Sequence, residues 1–129
     1  MQPQTVHLFV YDTMADWEPG YAVAGINNPE YQSQPGRYRV QTVGTADKAT
    51  TIGGITIIPD LSLEEVDPAG SAMLIIPGGA VWDGDGIPEV MEKARELLAA
   101  GVPVAGICGA TVGLARAGLL DDVDHTGNA

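Results

Sequence analysis

Val102-Pro103-Val104-Ala105-Gly106-Ile107-Cys108-Gly109-Ala110-Thr111-Val112-Gly113-Leu114 is the stretch that decides the fold. Its first half is short, apolar and β-branched, the pattern of a buried strand, and its second half starts a helix. Cys108, the only cysteine of the chain, falls at the junction. A sharp strand-to-helix turn exposes a single nucleophilic side chain at the carboxyl end of a sheet. The helix start adds unpaired N–H groups and about half a positive charge, and both favour a thiolate over a thiol. A lone cysteine is otherwise commonly a small buried hydrophobe. The small neighbours Gly106 and Gly109 weigh toward the reactive reading.

Working outward, the pattern alternates between strands and helices. Thr5–Tyr11 is β-branched and aromatic and predicts a central strand. Asp16 is placed to cap a helix from Trp17 to about Asn27, with Pro19 in its first turn. Trp17, Tyr21, Ala24 and Gly25 recur at helical spacing, which predicts that they face the sheet. Tyr38–Val43 and Ile55–Pro59 read as strands, Ser62–Val66 as a short helical turn, and Ala72–Ile76 as a strand covered on both faces. Pro88 opens a helix through Ala100 with Val90, Met91, Ala94, Leu97 and Leu98 on one face and a Glu89–Lys93 pair in support. The helix after Cys108 runs to about Ala117, with Gly118 as its C-terminal cap. Alternation of this kind predicts a mainly parallel sheet between helices, in one domain covering residues 1–129. Ligands in such folds bind beyond the carboxyl ends of the strands, where the loops 12–18, 77–85 and 108–111 fall.

Composition excludes several function classes. A formal charge of −11 opposes binding to nucleic acid and to anionic membranes. The longest apolar runs fall short of a membrane span. The start of the chain lacks the basic segment of an export signal, and a single cysteine cannot form an internal disulfide, so a cytoplasmic location is expected. His7 and His125 are the only histidines and neither belongs to a cluster with ligand spacing. Asp83 and Asp85 around Gly84 read as a turn, because the later acidic positions of a calcium loop are missing. No metal and no cofactor are expected.

Three blocks carry a resemblance: Ala15-Asp16-Trp17-Glu18, Ile75-Ile76-Pro77-Gly78-Gly79 and Ala105-Gly106-Ile107-Cys108-Gly109-Ala110. Together, and in this order, they resemble the ThiJ/PfpI family of the class I glutamine-amidotransferase-like superfamily. The resemblance implies a flavodoxin-like α/β three-layer sandwich and a homodimer. It implies that Cys108 is the nucleophile, that Glu18 is the glutamate that hydrogen-bonds the sulfur, and that the backbone N–H groups of Gly79 and Gly109 form an oxyanion hole. Gly78, His125 and Trp82 are secondary candidates, Trp82 either as a pocket wall or as packing at a dimer contact. The chain departs from the family in two ways. Gly109 stands where the protease branch has a histidine, and no His-x-Glu pair of the true amidotransferases follows. Family members also continue beyond the point where this chain stops, which implies a fragment or a sheet completed through a dimer.

The leading functional expectation is a cysteine-dependent hydrolase or lyase acting on a small carbonyl or amide substrate, as an amidase or protease-like enzyme, a glyoxalase or a deglycase, with isocyanide hydration a further family option. The alternative is a non-catalytic redox-sensing or stress-response protein that uses oxidation of Cys108, since susceptibility follows thiolate character and exposure. A sensory domain of a regulator ranks last, because the chain shows no basic helix-turn-helix segment.

Overall fold

The structure, a computed structural model, describes residues 2–127. Its elements run β1 (Gln4–Phe9), α1 (Trp17–Asn27), β2 (Tyr38–Gly44), β3 (Ala49–Thr50), β4 (Thr56–Ile57), β5 (Leu61–Ser62), β6 (Met73–Ile76), α2 (Pro88–Ala99), β7 (Val104–Gly106) and α3 (Ala110–Arg116), joined by short 3-10 turns. Five strands form one sheet in the order β5-β2-β1-β6-β7, and every ladder in it is parallel. This is the expected flavodoxin-like α/β architecture. The apolar runs explain it: five of the six residues of β1 and three of the four of β6 are buried, as central parallel strands require. Phe9, Val43, Leu74 and Ile76 fill the sheet centre, and Val90 and Leu97 bring α2 onto it.

Chain order places the functional end. From β1 the chain crosses to β2 on one side and only later reaches β6 on the other. The loops that follow β1 and β6 therefore diverge at a topological switch point, where such folds open a crevice.

Several local expectations are overturned. Trp17 and Tyr21 do not face the sheet; they are 67% and 94% exposed, and Ala24 is exposed with them. The buried stripe of α1 is instead Pro19, Val23 and Ile26. Both stripes run at i, i+4, i+7, so periodicity alone could not choose between them; branched aliphatics fit the pleated sheet surface. Asp16 makes no cap bond. Its carboxylate accepts from Thr51 Oγ1 at 2.5 Å and from the Gly53 N–H at 2.8 Å, tying a distant loop to the start of α1. The Ile55–Pro59 strand shrinks to β4, which pairs antiparallel with β3 outside the main sheet. Between β4 and the expected helical turn, Leu61–Ser62 forms β5, a parallel edge strand on β2. In α2, Leu98 is 41% exposed, and Lys93 pairs with Glu96 at 2.9 Å and donates to the Val66 carbonyl rather than pairing with Glu89. The C-terminal cap at Gly118 forms as expected, with φ +77° and the Leu119 N–H bonded to the Leu114 carbonyl.

Candidate active site

The three sequence blocks meet at Gly78. The loop after β1 pairs with the loop after β6 through a Met14–Gly79 bridge and an Ala15 N–H to Gly78 O bond of 2.9 Å. That pairing sets the first turn of α1 against Pro77-Gly78-Gly79, and the Gly78 N–H donates to Glu18 Oε1 at 2.7 Å. A Cβ at Gly78 would lie 2.7 Å from Glu18 Oε1, 2.9 Å from Cys108 Cβ and 2.9 Å from the Gly109 nitrogen. Glu18, Cys108 and Gly109 thus converge on one point, and only a glycine leaves room for them.

Cys108 is exposed and has φ +52°. A non-glycine residue in the left-handed region is strained by about 1 kcal/mol or more, and here the strain turns the chain from β7 into α3. The close packing behind the turn is also glycine-dependent. A Cβ on Gly106 would lie 2.5 Å from Leu114 Cδ1, and one on Gly113 would lie 2.6 Å from the Trp82 ring.

Trp82 lies in the core, with one side lining a hollow beside Gly86, Met91, Gly113 and Arg116. It is 1% exposed and packs in an edge-to-face pair with Tyr11, its indole N–H donating to Tyr11 Oη at 3.0 Å and to the Pro77 carbonyl at 3.2 Å. The apolar run Val81-Trp82 follows Gly79 into a 3-10 turn that carries the ring inward. Arg116, at the end of α3, donates to the Trp82 and Gly84 carbonyls at 3.0 and 2.7 Å, so the turn is held from both sides.

Tyr11 is the residue that sequence reasoning missed. Its hydroxyl donates to the Pro77 carbonyl at 2.6 Å. Burial raises its pKa, a shift opposed by the Trp82 bond and reinforced by nearby Glu18 and Cys108. The phenol therefore stays protonated and a donor. An aromatic at the end of a central strand was the available signal, and it reads equally as core. Gly79 lies beside this hydroxyl, 2.8 Å from its Cβ position.

His125 sits on the exposed segment after α3, its Nδ1 3.0 Å from the Val123 carbonyl oxygen. That segment passes the start of α3, where Thr111 lies 3.5 Å from the Cβ position of Gly127. A groove of about 690 Å³ between the Leu63 turn and α2 includes Glu64, Glu89, Lys93 and Glu96 but none of Cys108, Glu18, Gly78 or Gly109. Among the described residues there is no cluster of His, Cys, Asp and Glu suited to a metal ion, and no helix is long and apolar enough to cross a membrane.

Residues 4–129 match the DJ-1/PfpI family. The chain belongs to that family. It is 41% identical over 130 residues to a Bacillus subtilis protein named "Uncharacterized protease YoaZ", a match spanning 99% of this chain and 62% of the relative. A second B. subtilis protein, named "Uncharacterized protease YdeA", is 32% identical over 92% of this chain and 56% of its own length. The crystal structure of a ThiJ/PfpI family protein from Bacillus anthracis matches with a TM-score of 0.86 and 40% identity, over 100% of this chain and 62% of that one. A DJ-1 superfamily protein from Agrobacterium tumefaciens, Atu0886, also matches at a TM-score of 0.86, with 28% identity over 100% of this chain and 65% of that one. The chain therefore spans roughly three fifths of the length of these relatives.

Proposed function

We propose that this chain carries the nucleophilic centre of a cysteine-dependent hydrolase or lyase acting on a small carbonyl or amide compound. The observation that carries the reading is the convergence of Glu18, Cys108 and Gly109 around Gly78. In this mechanism the Cys108 thiolate attacks the substrate carbonyl carbon. Charge develops on the carbonyl oxygen and is met by the Gly79 and Gly109 N–H groups, each such donor being worth about 3 kcal/mol. The Glu18 carboxylate takes the proton of the Cys108 thiol and passes it to the leaving group, and water then releases the acyl group from sulfur. The protease names of the two B. subtilis relatives support amide chemistry. The absence of a histidine directly after Cys108 weighs toward small substrates over a Cys-His protease dyad.

The test compares turnover of small amides and of methylglyoxal in the wild type, Cys108→Ala and Glu18→Gln, alongside the pH profile of Cys108 alkylation by iodoacetamide. Activity lost in both variants and an alkylation profile moved by Glu18→Gln support the mechanism. Unchanged turnover in Cys108→Ala would remove the nucleophile.

The exposure of Cys108 also favours a second reading, oxidation as a signal. Peroxide converts the thiolate to a sulfenic acid and is itself reduced to water. A mass gain of one oxygen confined to Cys108 without any turnover would select it.

The homodimer implied by the family has a suitable surface in the outer stripe of α1. Trp17 and Tyr21 are exposed there, and Asp16 ties the loop bearing the exposed Ile52 and Ile55 to the same end of the helix. Large apolar side chains exposed near one another are the kind of feature that marks an association site. A Tyr21→Glu variant that sediments like the wild type would remove this surface from consideration.

A further inference from the structure

One peptide group joins Tyr11, Trp82 and Glu18. Its carbonyl, on Pro77, accepts from Tyr11 Oη at 2.6 Å and from Trp82 Nε1 at 3.2 Å. Its N–H, on Gly78, donates to Glu18 Oε1 at 2.7 Å. Hydrogen bonds at the two ends of a peptide polarise each other: withdrawing electron density through the oxygen makes the N–H a stronger donor. The effect is largest where water is excluded, and both Tyr11 and Trp82 are buried.

We propose that Tyr11 is a positioning residue for Glu18, acting with Trp82 through the Pro77–Gly78 peptide to hold the glutamate oxygen beside Cys108. The inference rests on the reading of Glu18 and Cys108 as a coupled pair. The Trp82 indole donates to Tyr11 Oη as well as to the Pro77 carbonyl, so it orients the phenol while sharing the acceptor. With the indole N–H directed at its oxygen, the phenol keeps its own proton for Pro77. Burial and the nearby Glu18 and Cys108 keep Tyr11 protonated, so it donates across the range in which the thiol is titrated.

The test measures the backbone amide proton shift of Gly78 and the pH profile of Cys108 alkylation by iodoacetamide, in the wild type, Tyr11→Phe, Glu18→Gln and the double variant. Tyr11→Phe is expected to move the Gly78 amide upfield and to change the alkylation rate about twofold, in the direction that Glu18→Gln changes it. That is the size expected from weakening one charge-assisted bond by a tenth to a third. The double variant should alkylate like Glu18→Gln alone, because the two residues act in series. A Gly78 amide that stays in place in folded Tyr11→Phe, or a Tyr11 effect that persists undiminished in the Glu18→Gln background, overturns the proposal. If Glu18→Gln itself leaves alkylation unaltered, it is the coupled pair that fails, and the Gly78 shift still reads the peptide. Site-specific 3-fluorotyrosine at position 11, which keeps the ring and strengthens the donor, should move the Gly78 amide downfield. No movement there overturns the proposal even if Tyr11→Phe does not fold.

Discussion

Asp16 and Thr51 are joined by a 2.5 Å hydrogen bond from the threonine hydroxyl to the carboxylate. Across 35 residues of chain, it fixes the loop before β4 against the start of α1. The Thr51 bond, helped by the Gly53 N–H and opposed by desolvation, holds the Asp16 carboxyl below its ordinary pKa. A depressed folded-state value means that the unfolded chain binds the proton more readily. The resulting stabilisation is present above the unfolded value, about 3.9, and is lost as pH falls through the lower folded value. Thermal melts of the wild type and Asp16→Asn should therefore differ at pH 6 and converge in strong acid. A gap that widens on acidification would contradict the assignment.

His7 gives a second pH dependence, in a different window. It sits in the middle of β1, 3% exposed, with Nδ1 2.8 Å from Ser71 Oγ. Burial and then the positive charge of Arg39 lower its pKa from 6.5. Between the folded value and 6.5 the unfolded state binds the extra proton, so stability is full above pH 6.5 and falls as pH drops through that window. The melting temperature should decline from pH 7 to pH 5, and His7→Gln should flatten the decline. A variant that keeps the wild-type slope would show that other groups cause it.

Much of this architecture was legible in the chain because parallel strands announce themselves. Ala72–Ile76 is apolar throughout and Thr5–Tyr11 is β-branched, aliphatic and aromatic apart from His7, the pattern of strands buried on both faces. The elbow was legible because Gly106, Cys108 and Gly109 break a strand before a helix pattern. The inner face of α1 was not, since Trp17/Tyr21 and Pro19/Val23 have equal claims by spacing and only the surface of the sheet distinguishes them. Asp16 looked like a cap because capping is decided by neighbours in sequence, whereas its partner Thr51 lies far along the chain. The role of Tyr11 was hidden for the same reason: its acceptor, Pro77, is 66 residues away.

Two helical glycines should respond oppositely to alanine. Glycine to alanine in a helix interior gains about 1 kcal/mol from propensity. At Gly20 on α1 nothing lies within 4 Å of the new Cβ, so the gain stands and stability should rise by about 0.5–1 kcal/mol. At Gly113 on α3 the Cβ would lie 2.6 and 2.8 Å from Trp82 ring atoms and 3.1 Å from Met91 Cε. Trp82 is buried and hydrogen-bonded on two acceptors and cannot step aside, so overpacking of about 1–3 kcal/mol exceeds the propensity gain. Denaturant unfolding of the two variants should move the midpoint in opposite directions.

Thr13 has φ +73°, a region that disfavours β-branched residues by about 1–2 kcal/mol and that asparagine tolerates. Its N–H is already used, donating to the Thr50 carbonyl at 2.8 Å, so the conformation is held by the fold rather than by the side chain. Thr13→Asn should keep that bond and raise stability by about 0.5–1 kcal/mol. A lower melting temperature would mean that the exposed threonine side chain stabilises the turn by itself.

Gly78→Ala tests the convergence at the site most directly. The added methyl would stand 2.7 Å from Glu18 Oε1, 2.9 Å from Cys108 Cβ and 2.9 Å from the Gly109 nitrogen. Backbone and a short side chain form two of those contacts, so the glutamate is the group able to withdraw. The loss of a charge-assisted bond of about 1.5–3 kcal/mol should then change the Cys108 alkylation rate by about tenfold or more, while overpacking lowers global stability by about 1–3 kcal/mol. Gly79→Ala offers the control, because its methyl would meet Tyr11 Oη at 2.8 Å and the Thr13 carbonyl at 3.0 Å. It should disturb the support beneath the turn and perturb alkylation less than Gly78→Ala. Equal alkylation rates in Gly78→Ala and the wild type, with the fold intact by circular dichroism, would mean that Glu18 does not act on Cys108 from the position it occupies.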